Sequence, residues 1–161
     1  MKETELKIRI YGDKALRKKA EPVKSIGAED KALIDKMAKI MYSNGGIGLA
    51  APQLGVNKQL VIIDVGQGLF KLFNPKIKKK KGSDVLEEGC LSVPGISIKV
   101  KRAKKVLFEG TNESNEYISF WADDLFCRAL QHEIDHLKGK LIVDYANILK
   151  KMEIKKKFRK K

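Results

Sequence analysis

The segment Leu125-Phe126-Cys127-Arg128-Ala129-Leu130-Gln131-His132-Glu133-Ile134-Asp135-His136, set between Asp123-Asp124 and Gly139, reads as a single helix. Asp123 or Asp124 supplies its N-cap, and Gly139 ends it after Lys138. At ~100° per residue, side chains four apart share one face, with Cβ atoms roughly 5–6 Å apart. His132 and His136 can therefore hold one metal ion between them. Leu125 and Ala129 continue the same face and form an apolar approach to both rings. Glu133 sits about 100° from His132 and about 60° from His136 around the axis, beside a metal and not aimed at it. That position suits a base acting on water. The chain has only these two histidines, so ordinary surface histidines explain the pattern poorly.

A catalytic divalent ion needs a third protein ligand and an open position. No histidine follows His136, which leaves Glu153 in the basic tail or Cys90. Cys90 lies in Glu87-Glu88-Gly89-Cys90-Leu91-Ser92-Val93-Pro94, read as a loop punctuated by Gly and Pro. A thiolate is a strong ligand for zinc or ferrous iron, and Cys90 is the better candidate. Cys127, on the helix, reads as a buried apolar filler. A third segment, Gly46-Ile47-Gly48-Leu49-Ala50-Ala51-Pro52-Gln53, lets backbone approach closely, and Gln53 offers an amide donor. No Gly-Lys-Ser/Thr follows it, which argues against a phosphate loop.

The rest of the chain frames this helix. Leu33, Ile34, Met37, Ile40 and Met41 give residues 28–43 an amphipathic helical period, stopped at Asn44-Gly45-Gly46. Leu60 to Val65 and Leu69 to Phe73 read as strands, the second ending at Asn74-Pro75. Ile96, Ile98 and Val100 alternate as in a half-buried strand, and Thr111 to Asn115 turns a hairpin between Val106–Phe108 and Tyr117–Trp121. A last helix is expected from about Asn147, with Ile148, Leu149 and Met152 on one face. The expected class is α+β: mostly antiparallel strands around a central metal-binding helix, with an N-terminal helix and a C-terminal helix. Residues 1–161 are expected to form one domain, with 150–161 a basic helical tail.

Residues 46–53, 88–92 and 131–136, in this order, match without a gap the patterns Gly-x-Gly-Leu-Ala-Ala-x-Gln, Glu-Gly-Cys-Leu-Ser and Gln-His-Glu-x-Asp-His. The chain thereby resembles the peptide deformylases, and the likeness extends to Asp13–Val23 and Phe73-Asn74-Pro75. The resemblance implies removal of the formyl group from the N-terminal formylmethionine of nascent proteins. It implies a metal on Cys90, His132 and His136, natively ferrous iron in many members and replaceable by nickel, cobalt or zinc. It makes Glu133 the general acid and base, and Gln53 with the Leu91 backbone N–H the oxyanion hole. It places Ile47, Gly48, Leu125 and Ala129 at the methionine pocket and pairs Glu88 with Arg102 behind Cys90. Asp135 is a candidate to orient a ligand histidine. Two positions depart from the family: Asp124 stands where Gly is usual, and Lys101 where Pro is frequent.

The formal charge is +14, and three segments, 76–81, 99–105 and 150–161, hold 18 of the 34 basic residues. Such a field favours anionic surfaces, RNA above all. In segments 76–81 and 99–105, however, no aromatic residue is interleaved with the lysines, as a solvated lysine-rich surface would have it. Ribosome or rRNA contact through the tail is one reading, and a free tail the other. A charged start at Met1-Lys2-Glu3 and the lack of ~20 consecutive apolar residues predict a cytoplasmic protein with free or metal-bound thiols and no membrane partner. Two other functions stay in play: a zincin-type metallopeptidase, with its third ligand downstream of the histidines, and a catalytically silent ribosome- or RNA-binding protein.

Overall fold

The computed structural model describes residues 5–159. Its elements run α1 (Ala28–Ser43), β1 (Gly48–Ala50), β2 (Leu60–Ile63), β3 (Phe70–Lys81), β4 (Asp84–Cys90), β5 (Val93–Arg102), β6 (Lys105–Thr111), β7 (Tyr117–Ala122), α2 (Asp124–Leu137) and α3 (Ile148–Arg159), with short 3-10 turns between some of them. Five strands form one sheet in the order β1-β2-β3-β6-β7, and β4 pairs with β5 alone. Every strand pair is antiparallel. The fold is α+β, as the sequence implies.

α2 lies on one face of the large sheet, where Cys127, Leu130 and Ile134 meet Val61, Leu72, Val106 and Phe108. α1 lies on the other face, with Ile34, Met37 and Met41 against Leu60, Ile62 and Phe73. The two-stranded sheet closes the remaining side through Val93, Ile98 and Val100, packed with Ile142, Val143 and Ile154. α2 is thus held between the two sheets, and its buried surface drives the packing. Among the described residues no helix is long and apolar enough to cross a membrane.

Four local readings change. β3 does not stop at Asn74-Pro75 but runs on to Lys81. Asn74 adopts φ 51° and its side-chain amide clasps Val23 N and O, so the register shifts there and the strand continues. Residues 87–94 are not a loop: Cys90 ends β4, and Leu91-Ser92 turns directly into β5. Asp123 is the residue before α2, but its side chain makes no capping bond, and Asp124 enters the helix at φ 50°. That left-handed entry is where glycine sits without cost, and Asp tolerates it better than most residues. On α3 the residues that pack are Ile154, fully buried, and Phe158, edge-on to Tyr11. Ile148, Leu149 and Met152 face out. Lys160 and Lys161, the last residues of the tail, lie outside the described residues.

Candidate metal centre

α2 stacks His132 and His136 on successive turns, ring centroids 5.0 Å apart, with Nε2 to Nε2 at 3.3 Å. The β4–β5 turn brings Cys90 Sγ to 3.4 Å from His136 Nε2. These donor atoms all lie within 4.8 Å of one another. A four-coordinate ion, with bonds of ~2.0–2.1 Å to nitrogen and ~2.3 Å to sulfur, needs donors roughly 3.3–3.6 Å apart. The two separations from His136 Nε2, 3.3 and 3.4 Å, fit. Glu153, the rival third ligand, lies in α3 and pairs with Lys150.

Glu88, two residues before Cys90, reaches α2 beside it. Its Oε1 accepts from His132 Nδ1 at 3.0 Å, which leaves Nε2 to face Cys90 and His136. Arg102 donates to both oxygens of Glu88 at 2.8 and 2.9 Å, and Arg128 adds a bond of 2.6 Å. Burial pushes the Glu88 carboxyl up, but the Arg102 and His132 hydrogen bonds outweigh it and hold it down to about 2. The pairing of Glu88 with Arg102 read from the sequence is present.

Asp135 does not orient a histidine. It accepts from Arg102 Nη1 and from the Tyr145 hydroxyl, both at 2.6 Å, and so braces Arg102 from behind. Sequence reasoning also missed Arg128, which is buried and spans Glu88, the Val100 carbonyl and Asp84. Its signal was an arginine four residues before His132 on a face otherwise apolar.

The two rings are pushed in opposite directions. Burial favours the neutral form of both, but hydrogen bonds with Cys90 and Glu88 raise His132 to about 10. His136, whose buried Nδ1 has no hydrogen-bond partner, is pushed well below its usual value by burial and then by the neighbouring His132 charge. A cation bound among these donors would displace the His132 proton.

Glu133 is buried beside the ligands with Oε2 unpartnered, and burial raises its carboxyl to about 7, against the pull of His132 and Arg102. Gly48 explains the glycine motif. A Cβ there would meet Glu133 Oε1 at 2.6 Å, so only glycine leaves the carboxylate its place. Gly48→Ala should shift Glu133 and cut turnover by ~100-fold, the scale of a 1 Å misplacement. Metal binding should not change, and activity with metal analysis on one preparation checks both. Gln53 is buried, its Oε1 accepting from Ala50 N at 2.9 Å, and its Nε2 lies 3.1 Å from Ser92 Oγ and 3.6 Å from Cys90 Sγ. A cleft of about 660 Å³ opens over these groups, with Ile47, Gly48, Leu91, Leu125 and Ala129 in its walls. Cys127 is buried away from it among apolar residues, as a filler should be.

The polypeptide deformylase family model matches residues 5–152. A peptide deformylase of Halothermothrix orenii is 49% identical across 86% of this chain and 92% of its own length. One of Thermodesulfovibrio yellowstonii is 44% identical across 97% and 98%. The crystal structure of a peptide deformylase from Legionella pneumophila superposes with a TM-score of 0.92 at 39% identity, covering 98% of this chain and 95% of that one. Another, from Synechococcus elongatus in complex with actinonin, gives 0.90 at 40% identity over 98% and 87%. With the motifs, the fold and nearly the whole length of these relatives in common, the chain belongs to the peptide deformylase family.

Proposed function

We propose that the chain hydrolyses the formamide of N-formylmethionyl peptides, with Cys90, His132 and His136 holding the metal and Glu133 moving the proton. The observation that carries this reading is the convergence of three donor atoms at metal spacing next to a buried, unpartnered carboxylate. A divalent ion bound there would supply Lewis-acid polarisation and a lowered pKa for water. Ferrous iron is the proposed native metal, with zinc, nickel and cobalt as substitutes, since one thiolate and two imidazoles accept all four.

The chain's own residues do the rest. Glu133 takes a proton from the attacking water as oxygen adds to the formyl carbon, then delivers it to the amine nitrogen as the C–N bond breaks. Formate leaves with the oxygen that came from water. The Glu133 carboxyl, raised to about 7, is matched to both directions of transfer. The Gln53 amide and the Leu91 N–H serve the oxygen on which charge develops. Glu88, fixed by Arg102 and Arg128, keeps the His132 ring turned. Ile47, Gly48, Leu125 and Ala129 receive the methionine side chain.

The test is formate release from formyl-Met-Ala-Ser by anaerobically purified protein, beside acetyl-Met-Ala-Ser and an internal peptide, with metal content read in parallel. Turnover of the formyl peptide alone, at one metal per chain with iron predominant, supports the reading. Cleavage of the internal peptide would revive the metallopeptidase reading, and a metal-loaded protein without formate release would sink the activity. Actinonin, found with the Synechococcus elongatus relative, is expected to inhibit.

Residues from Lys150 onward carry eight basic side chains, and the tail is proposed to reach ribosomal RNA near emerging chains. Replacing Lys156, Lys157, Arg159, Lys160 and Lys161 with Gln, which keeps the packed Ile154 and Phe158, should weaken ribosome binding and flatten its salt dependence while sparing turnover of formyl-Met-Ala-Ser. Unchanged ribosome affinity would remove the tail from the account.

A further inference from the structure

α1 packs on β1, β2 and Phe73 of β3, and beyond it the same sheet face is exposed at Lys79, Lys81, Lys105, Tyr117 and Trp121. Cross-strand partners share a face. Lys79 pairs with Leu107 and Leu107 with Trp121, while Lys81 pairs with Lys105. The strand pairing therefore sets aromatic rings beside a lysine run that has none along the sequence. Trp121 is 39% exposed, and Tyr117, four residues earlier on the same face, 70%. Their Cα atoms are about 13 Å apart at a strand rise of ~3.3 Å per residue. Lys81 Nζ lies 4.6 Å from the Trp121 ring centroid. Glu109, the carboxylate on this face, is engaged by Lys78 and by the Tyr117 hydroxyl. Among the described residues Lys79, Lys81 and Lys105 form no ion pair, so their charge is left for an external anion.

We propose that this open face binds single-stranded RNA, with bases stacked on Trp121 and Tyr117 and phosphates on Lys79, Lys81 and Lys105. Stacking is sequence-tolerant because every base has a π-face, and a basic, aromatic-bearing sheet suits splayed single strands. A duplex hides its bases from such a surface. An acidic peptide would satisfy the lysines but not the rings, and a lipid surface would want an apolar wedge where this face offers rings flanked by charge. A stacked base outcompetes Lys81 for the indole, since base stacking exceeds an exposed cation–π contact, and the freed ammonium then meets the phosphate.

The chain has one tryptophan, so its fluorescence reports this face alone. Full-length protein would be titrated with a uridine decamer, with heparin as a base-free polyanion, and with poly-glutamate. The decamer is expected to quench saturably and the other two to leave the emission unquenched. Labelled decamer followed by anisotropy should bind roughly tenfold more weakly to Trp121→Leu and to Tyr117→Leu. Trp121→Phe should keep most of the affinity, which separates lost stacking from lost folding. Replacing Lys79, Lys81 and Lys105 with Gln should lower the salt slope by about 2. Turnover of formyl-Met-Ala-Ser should not change in any of these variants. Equal quenching by heparin or poly-glutamate would overturn the proposal. So would decamer binding that leaves emission and variants unaffected, which would put the RNA on α3, and so would no binding at all.

Discussion

Glu133→Gln should lower kcat by about 100- to 10,000-fold, the range for a lost general acid and base, while the protein keeps its metal. Cys90→Ala should lose both metal and turnover. The contrast follows from position. Cys90 Sγ is one of three converging donors, whereas Glu133 has an oxygen with no partner, so its amide analogue fits the same space without being asked to bind. Gln cannot carry a proton between water and amine, and added metal cannot restore that. Formate release and bound metal, measured on the same samples, check both halves. A Cys90→Ala protein that holds one metal would show that sulfur is not a ligand, and a fully active Glu133→Gln would move the proton transfer elsewhere.

The second large effect belongs to Glu88. Glu88→Leu leaves Arg102 and Arg128, both buried, without their main counter-charge. Breaking a buried ion pair from one side costs roughly 3–5 kcal/mol, which in a chain of this size lowers Tm by about 6–20 °C. The His132 ring also loses its acceptor, and metal affinity should fall by about 10- to 100-fold. Thermal unfolding and a metal titration measure the two separately. The pH dependence has a definite sign. The folded carboxyl is held down to about 2, so its stabilisation is complete above about pH 4.5 and is lost as pH falls toward 2. The wild type should lose stability across that window, and Glu88→Leu should lose less of it. A variant as stable as wild type at neutral pH would mean that the arginines find other partners.

The histidine pair was legible because helical spacing is a local property: four residues apart on an amphipathic helix decides the geometry before any packing is known. The same holds for α1, whose apolar period and Asn-Gly-Gly stop gave bounds equal to those observed. What stayed hidden depends on partners distant in sequence. Asp135 looked free to serve a histidine, but Arg102 and Tyr145 claim it first. Asn74-Pro75 carried a stop signal that the clasp on Val23 overrides. Ile148, Leu149 and Met152 were the stronger apolar stripe on α3, yet Ile154 and Phe158 meet the body. Gly48 was legible as a close approach, though not what approaches; that is Glu133, from a helix some eighty residues later.

Cys90 comes from the small sheet and both histidines from α2, so an ion bound by all three would cross-link two elements that are otherwise joined by Glu88 and its arginines. Mass action then makes the cation part of the folding equilibrium. At 1,000 times its Kd, free metal adds about 4 kcal/mol to a native state that alone can bind it. A chelator would therefore lower the melting temperature before any substrate is added, and the height of that melting point would read how full the site is. For a cell short of metal, empty protein would be both idle and the first to be degraded, so supply of the ion would set the amount of enzyme as well as its rate.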